Sequence, residues 1–457
     1  MSLTNLHDDK DKDASLPPMA VPSGRGSRLV RLGWMATGIA GGMVAEGARQ
    51  LALGNRPKVS DLLLTPANAR RVADQLAKLR GAAMKVGQLV SMESGDLLPP
   101  ALADILARLR SDARAMPKAQ VTAMLEAHWG KGWEKQFKHF SFTPMAAASI
   151  GQVHRAQTLD GRDLAIKIQY PGVRESINSD VDNVAGLLRM SGLLPKEMDL
   201  KPLLRDAKRQ LHDEADYIKE GNYLQRYGEL LADAPDYLLP RLHADLTTHS
   251  VLAMDYVRGV PVESLATSAQ AQRDHVMTLL FALLLREVFE FRLVQTDPNF
   301  ANYRYDTHTH QLILLDFGAT RPYKASMAND FRRLMKGAMA ADRAAMGAAC
   351  MAIGYFDDTT RTKHRQAVLD IGEIAFEPFC REGVYDCGTS DLPERVRSRG
   401  IALGMDREFW IIPPADAMLL QRKFGGLYLL AIRLKARVDV NALAKAALGP
   451  RRRAGVV

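Results

Sequence analysis

The sequence predicts an α+β fold of two lobes, the second mostly helical, with a helical extension before them. Two apolar runs of strand length, residues 164–169 and 312–315, carry or precede a charged side chain. Stretches with apolar residues at helical spacing precede the first run, separate the two runs and follow the second. This order of strands and helices underlies the predicted fold class.

The composition is that of an ordinary globular protein. The chain has 457 residues, 47% of them hydrophobic and 25% charged, so it can bury a sizeable core over two or three subdomains. The formal net charge is +9, but 61 basic residues are nearly matched by 52 acidic ones and no basic-aromatic tract occurs. We therefore expect no nucleic-acid partner. Cys350, Cys380 and Cys387 form no C-x-x-C pair, which favours a reducing compartment.

The N-terminal region divides into a polar part and an apolar part. Residues 1–28 have a composition that cannot pack a core, and we predict that they are disordered. Their early acidic residues argue against a transit peptide, so a bacterial cytoplasmic location is the simplest prediction. Residues 29–58 are apolar and rich in glycine at first, and both a membrane-contacting helix and a plain packed helix remain open.

The predicted helical extension, residues 59–135, contains the motif Lys85-Val86-Gly87-Gln88. Lys85 and Gln88 are three residues apart and share a helix face. On these residues alone, a solvated helix face is the simplest interpretation.

An alanine-rich run follows, in which Ala146, Ala147, Ala148 and Ser149 lie between strand-like segments. Such small side chains let the backbone approach a ligand, although alanine forbids most positive-φ conformations. The start of a helix is an equal alternative. No G-x-x-x-x-G-K-[ST] sequence occurs, so a P-loop is excluded.

Lys167 lies in a run that matches V-A-I-K in register, after a hairpin signal at Asp160-Gly161. A lysine on a buried strand needs a phosphate or a carboxylate as partner. We expect the carboxylate on one helix over about residues 203–231, where Asp216 and Glu220 are four apart and share a face, while Glu214 points elsewhere. A surface of mixed charge is the alternative for this stretch.

The run 250–259 predicts a buried strand that leaves the core into a turn. This shape suits a hinge whose backbone meets an adenine edge, through Met254, Asp255, Tyr256 and Val257. A helix over about residues 269–291 should lie beneath the loop formed by residues 295–302, which we interpret below as a catalytic loop. Residues 327–440 are mostly helical by pattern.

Asp297 and Asn302 are five residues apart, and Asp316 ends an apolar strand before Phe317-Gly318. In a kinase catalytic loop, an Asp and an Asn at this spacing contact the substrate hydroxyl and a magnesium ion, respectively. The Asp of the D-F-G sequence also binds magnesium. We therefore predict that Asn302 and Asp316 bind Mg²⁺ and that Asp297 orients the attacking group. The pair Asp297 and Asn302, followed closely by Asp316-Phe317-Gly318, is a much stronger signal than the D-F-G sequence alone.

In their order, these motifs resemble the UbiB family of atypical kinase-like proteins, most closely its coenzyme Q branch, the aarF-domain-containing kinases. The resemblance extends from about residue 62 onward. Lys85 and Gln88 look like its K-x-G-Q signature, which adds both to the predicted catalytic residues. Residues 146–149 look like its alanine-rich nucleotide loop, and Glu214 with Asp216 looks like its E-x-D element.

The core motifs carry the same resemblance. Lys167 and Glu220 match the strand lysine and helix glutamate, Asp297 and Asn302 the catalytic loop, and Asp316 the metal-binding Asp. The Q-T-D-P-N form of residues 295–299 is closer to the coenzyme Q branch than the H-A-D-P-H form common elsewhere in the family.

The resemblance implies a protein-kinase-like fold with ATP and Mg²⁺ binding, ATPase activity and support of ubiquinone biosynthesis. The predicted lobes are residues 136–256, with a helical insertion, and 257–445, followed by a basic tail at 446–457. Predicted partners are ATP, a membrane lipid surface or ubiquinone-precursor lipids, and other ubiquinone-biosynthesis enzymes. The predicted location is peripheral, on the inner membrane of a bacterium.

Two other functions remain open. One is a protein kinase acting on partner proteins, although no A-P-E element follows Asp316 and little room remains for an activation segment. The other is a nucleotide-gated scaffold without turnover, although every expected catalytic group is present.

Overall fold

The structure, a computed structural model, describes residues 115–190, 201–404, 406, 411 and 413–449. The predictions for Lys85, Gln88, residues 1–114 and residues 450–457 of the basic tail lie outside the described residues. Residues 446–448, which the prediction places in that tail, belong instead to the last helix, Val440–Leu448. The strands are β1 (Phe137–Phe140), β2 (Ala146–Ala147), β3 (Gly151–Thr158), β4 (Asp163–Gln169), β5 (Tyr237–Leu238), β6 (Val251–Asp255), β7 (Val260–Pro261), β8 (Leu293–Gln295), β9 (Tyr303–Tyr305), β10 (Leu312–Leu314), β11 (Thr320–Pro322), β12 (Tyr385–Asp386) and β13 (Arg437–Val438).

The described helices are mostly C-terminal to the main sheet. They are α1 (Lys118–Trp129), α2 (Val173–Met190), α3 (Lys201–Glu214), α4 (Tyr217–Leu230), α5 (Gln270–Arg286), α6 (Ala325–Met339), α7 (Arg343–Ile353), α8 (Thr362–Cys380), α9 (Leu392–Gly404), α10 (Ala415–Arg433) and α11 (Val440–Leu448). The α+β class and the mostly helical second lobe are confirmed. Of the helices in the described part of the chain, none has the length and apolar character needed to cross a membrane.

The first lobe is built on an antiparallel sheet in the order β1-β3-β4-β6, with β2 added to β3. The β3–β4 hairpin turns at Gly161, whose φ of 91° is one that glycine adopts without strain. β4 is central and buried along most of its length, which explains its apolar, β-branched sequence. Ile166 and Ile168 enter a core with Trp133 and Phe137. Lys167 points to the opposite face because side chains alternate along a strand.

The prediction of one helix over residues 203–231 is wrong, because the chain breaks between α3 and α4. Asp216 has extended φ and ψ angles and its side chain accepts a hydrogen bond from the Lys219 N–H, so it is the N-cap of α4. A residue outside the helix shares no helix face with Glu220. The helical pattern continues across the break because only Ala215 and Asp216 separate the end of α3 from the start of α4.

The second lobe places the predicted catalytic segments between short strands. Buried α5 continues as one π-helical turn, Glu287–Phe291, and Arg292 with φ of 53° ends it. The predicted helix over 269–291 is therefore confirmed in extent, although its last turn is widened. The catalytic loop connects β8 to β9, and Asp316 follows β10, which pairs with β9 and β5.

Candidate active site

The site is centred on the Lys167 ammonium, which bridges the two lobes. Its Nζ donates to Glu220 Oε1 at 2.8 Å and Oε2 at 3.0 Å, and to Asp316 Oδ2 at 3.2 Å. Lys167 and Glu220 are buried, whereas the Asp316 side chain is 33% exposed. β4 and α4 thus supply the buried pair and the end of β10 supplies an accessible carboxylate. The structure brings together these three predicted residues.

The charges of this cluster control one another. Burial alone would lower the pKa of Lys167, but the carboxylates of Asp316 and Glu220 outweigh burial and raise it well above its ordinary value. Burial also raises the pKa of the Glu220 carboxyl to about 7, against the effect of Lys167, and Asp316 adds to the rise. Burial thus favours the protonated form of Glu220, whereas the Lys167 ammonium favours its ionised form.

The segment after Asp316 is held close to the cluster. Asp316 Oδ1 accepts a hydrogen bond from the Gly318 N–H at 2.9 Å. A Cβ on Gly318 would lie 3.3 Å from Glu220 Oε2 and 3.4 Å from Asp316 Oδ1. A Cβ at this position would press on the Glu220 carboxylate by a few tenths of an ångström and would reach van der Waals contact with Asp316.

The catalytic loop is organised around the Asp297 carboxylate. Its Oδ2 accepts from the Asn302 amide Nδ2 at 3.3 Å, and its Oδ1 accepts from the Asn299 N–H at 3.3 Å. Residues Phe300–Asn302 form a short 3₁₀ turn, capped by Asn299. The turn brings Asp297 and Asn302 together as their spacing predicts, with the Asn302 amide oxygen left as an acceptor.

The alanine-rich run is a strand and tight turn, and the alternative of a helix start is wrong. Ala146 and Ala147 form β2 on β3 and are exposed, and the Ala148 N–H donates to the Gly151 carbonyl at 2.9 Å. Ser149 Oγ donates to Glu214 Oε2 at 3.2 Å, which ties this turn to the end of α3. Glu214 therefore faces the alanine-rich turn while Glu220 faces Lys167.

The side chains of the predicted hinge are engaged in packing. Asp255 Oδ1 lies 2.7 Å from His243 Nε2, and its Oδ2 accepts from the Arg241 N–H. The Tyr256 ring lies under the Arg155 guanidinium, 4.2 Å from its centroid. Any contact of Asp255 or Tyr256 with an adenine edge would thus come from the backbone, and a role for Met254 to Val257 in nucleotide binding stays a prediction.

Two residues at the site were missed by sequence reasoning. The Tyr217 ring lies 5.0 Å below Lys167 Nζ, and its buried hydroxyl has no hydrogen-bond partner among the described residues. Arg422 Nη2 lies 3.5 Å from Asp297 Oδ1. The one sequence signal for Tyr217 is its place after Asp216, a residue type that can cap a helix, and this signal does not place the Tyr217 ring beside Lys167. Nothing in the sequence connects Arg422 with a loop 125 residues away.

The fold and this constellation define a kinase-like protein. A model of the ABC1 atypical kinase-like domain matches residues 108–350. The chain is 34% identical over 443 residues to the Atypical kinase COQ8, mitochondrial, of Saccharomyces cerevisiae, across 96% of this chain and 87% of that protein. It is 36% identical over 429 residues to the Atypical kinase COQ8B, mitochondrial, of Rattus norvegicus, across 93% and 80%.

A solved structure shares the fold. The complex of Rv3197 with erythromycin from Mycobacterium tuberculosis aligns with a TM-score of 0.59 at 22% identity, over 83% of this chain and 97% of that one. The chain belongs to the ABC1 atypical kinase-like family, that is, the UbiB family, which confirms the resemblance drawn from its motifs.

Proposed function

We propose that this protein is an ATP- and Mg²⁺-dependent phosphotransferase or ATPase that supports ubiquinone biosynthesis at a membrane. The observation that carries the proposal is the Lys167 ammonium held between the buried Glu220 and the accessible Asp316. A lysine fixed in this way is positioned for a nucleotide phosphate, as in other kinases. Membership of the family and the relatives named COQ8 support the pathway.

The donor set suits magnesium. Mg²⁺ prefers oxygen ligands and is usually held by one or two carboxylates together with substrate phosphates. Asp316 supplies a partly exposed carboxylate, and Asn302 keeps an amide oxygen available while its Nδ2 donates to Asp297. In the proposed function these two residues would hold the metal, and the bound metal would supply positive charge next to the transferred phosphoryl group.

The protein's own residues position the reactants. Lys167 pairs with a phosphate and is oriented by Glu220. Asp297 accepts a hydrogen bond from the attacking hydroxyl or water, since its carboxylate lies at the start of a turn that also presents Asn302. The small exposed side chains of the alanine-rich turn and the hinge backbone contact the nucleotide. Phosphoryl transfer needs little covalent chemistry beyond this positioning.

The short connection after the metal-binding Asp supports ATP hydrolysis or a small acceptor over a protein acceptor. β11 (Thr320–Pro322) pairs with β8, and α6 begins at Ala325, so residues 319–324 alone join Gly318 to α6. An activation segment that binds a peptide substrate would need more chain than this.

The test is steady-state ATP hydrolysis by the full chain, with and without liposomes. We expect Asp316→Asn to lower kcat by about 100-fold or more, because a metal clamp is worth several kcal/mol and about 1.4 kcal/mol is a factor of ten. Asp391→Asn is the matched control, since its carboxylate is exposed and paired with Arg395. Equal rates for Asp316→Asn and the parent, at equal thermal stability, would reject the metal assignment.

The proposed pathway needs a separate experiment. A bacterial strain that lacks the gene should accumulate ubiquinone precursors, and the parent chain should restore ubiquinone. Asp316→Asn should fail to restore it. Restoration by Asp316→Asn would instead support a nucleotide-gated scaffold that needs no turnover, whereas phosphate incorporation into added partner proteins would support a protein kinase.

A further inference from the structure

One face of α10 lies against the catalytic loop. Arg422 and Gly426 are four residues apart on this helix and share a face, and Lys423 is adjacent. Arg422 contacts the Asp297 carboxylate and Gly426 contacts Pro298, the next residue of the loop. A single helix from the C-terminal part of the chain thus touches the loop at consecutive positions.

Lys423 reaches both ends of the same loop. Its ammonium donates to Gln295 Oε1 at 3.0 Å, before Asp297, and to the Tyr303 hydroxyl, directly after Asn302. Lys423 is 1% exposed, so these contacts are made away from solvent. Because both partners belong to the strands that flank the loop, one buried cation fixes the separation of the loop's two ends.

A buried carboxylate keeps Lys423 charged. Glu287, on the π-helical turn after α5, places Oε2 3.9 Å from the Lys423 ammonium. Burial alone would lower the pKa of Lys423, but Glu287, the Tyr303 hydroxyl and Asp297 together outweigh burial, and the pKa is raised. Glu287 Oε1 in turn accepts from the Tyr227 hydroxyl at 2.7 Å and from the Gln295 N–H. Tyr227 lies on α4, the helix that carries Glu220.

Gly426 is required by the close approach of the helix. A Cβ at this position would lie 2.4 Å from Pro298 Cβ, a distance that real Cβ atoms do not adopt. The neighbouring Gly425 is exposed, and a Cβ there would meet nothing within 4 Å. Of these two adjacent glycines, Gly426 therefore contacts the catalytic loop and Gly425 does not.

We propose that α10 is the support of the catalytic loop and that Arg422 and Lys423 are positioning residues for phosphoryl transfer. Arg422 orients the Asp297 carboxylate, Lys423 holds the two ends of the loop, and Gly426 lets the helix come close enough for both. The helix lies beyond residues 108–350, which the family model matches. The inference rests on the proposed function, because positioning is measured through turnover.

The steric part is tested with Gly426→Ala and its matched control Gly425→Ala. Displacing a catalytic group by about 1 Å can cost about 100-fold in rate. We expect Gly426→Ala to lower kcat for ATP hydrolysis about 10- to 100-fold and to change the KM for ATP less than twofold. Gly425→Ala should retain the parental kcat and, because alanine favours helix, should not lower the Tm. Equal kcat values for the two variants would overturn the steric part.

The electrostatic part is tested with Arg422→Gln and Arg422→Lys. The glutamine removes the charge beside Asp297, and the lysine keeps it. We expect Arg422→Gln to lower kcat at unchanged KM and Tm, and Arg422→Lys to recover part of the loss. A purely structural role would instead lower the Tm and show no difference between the two variants at matched stability, which would overturn the assignment of Arg422.

Hydrogen–deuterium exchange separates failure of this inference from failure of the proposed function. Amide exchange of residues 295–303 should be faster in Gly426→Ala than in Gly425→Ala, whether or not the parent hydrolyses ATP. If the parent shows no turnover but exchange differs in this way, the proposed function is wrong and the support of the loop by α10 stands. Identical exchange in both variants would reject that support.

Discussion

In the proposed function, the protonation of Glu220 connects stability with turnover. Its pKa is raised by burial from 4.5 to about 7, so at intermediate pH the folded chain binds a proton that the unfolded chain has released. The contribution of Glu220 to stability therefore falls as pH rises through this interval. Turnover should rise over the same interval, because only the ionised carboxylate orients Lys167 by an ion pair.

The prediction is that between about pH 5 and pH 7.5 the contribution of Glu220 to the Tm falls while kcat/KM rises, the contribution being measured as the difference in Tm between the parent and Glu220→Gln. In Glu220→Gln, which cannot ionise, the contribution of this group to both slopes should disappear and kcat should be low throughout. Glu229→Gln is the control, because Glu229 lies on the same helix, exposed and paired with Arg226. If Glu220→Gln retained the parental pH dependence of Tm, the raised pKa of Glu220 would be wrong.

At the scale of elements, the start of α4 determines where Glu220 lies. Asp216 caps this helix through the Lys219 N–H at 3.2 Å, and Glu220 follows one turn later. Asp342 caps α7 in the same way through the Ala345 N–H at 2.9 Å, far from the site in sequence. The two caps are chemically alike, but α4 contains the site residue Glu220, whereas α7 contains no predicted site residue.

We expect Asp216→Ala and Asp342→Ala each to lower the free energy of unfolding by about 1 kcal/mol, within a range of about 0.5–2 kcal/mol. Only Asp216→Ala should also reduce kcat, because fraying of α4 loosens the Lys167–Glu220 pair. Chemical denaturation and ATP hydrolysis measure the two effects. Parallel losses of activity in both variants would mean that the α4 cap has no special connection to the site.

Elements and motifs with a local cause could be predicted from the sequence. β4 is recognisable because a central strand buries both faces, and the β3–β4 turn because Gly161 takes a positive φ. Asp297 and Asn302 meet because a short turn connects them, which spacing alone indicates. The break at Asp216 was missed because an Asp inside a helical pattern can be either a surface residue or a cap, and the deciding hydrogen bond is invisible in the sequence.

Contacts between distant parts of the chain could not be predicted. Kinase motifs place Lys167 and Asp316 in one predicted site, but their direct contact was not predicted, since nothing local connects residues 149 positions apart. Lys423 lies in a helix whose apolar spacing predicts an ordinary buried helix with no functional role. Its ion pair with Glu287 depends on how α10 packs against the π-helical turn. Only the tertiary arrangement gives these contacts.

At the scale of the whole molecule, the basic net charge and the apolar N-terminal segment motivate a prediction of peripheral membrane attachment. Deletion of residues 1–53 should weaken flotation of the protein with anionic vesicles, and raising the salt concentration should weaken flotation of the parent. ATP hydrolysis in the absence of vesicles should be retained and serves as the folding control. Undiminished flotation of the truncated protein would argue that residues 1–53 are only structural.

The late position of α10 in the chain has a consequence for biosynthesis. At about 5–20 residues per second, a ribosome needs roughly 6 to 23 s to proceed from Asp316 to Arg433. During that time a nascent chain contains Lys167, Asp297 and Asp316 but lacks the helix that holds the catalytic loop. In the proposed function, efficient hydrolysis of ATP by a nascent chain is therefore expected only after α10 has been synthesised and has packed against the loop.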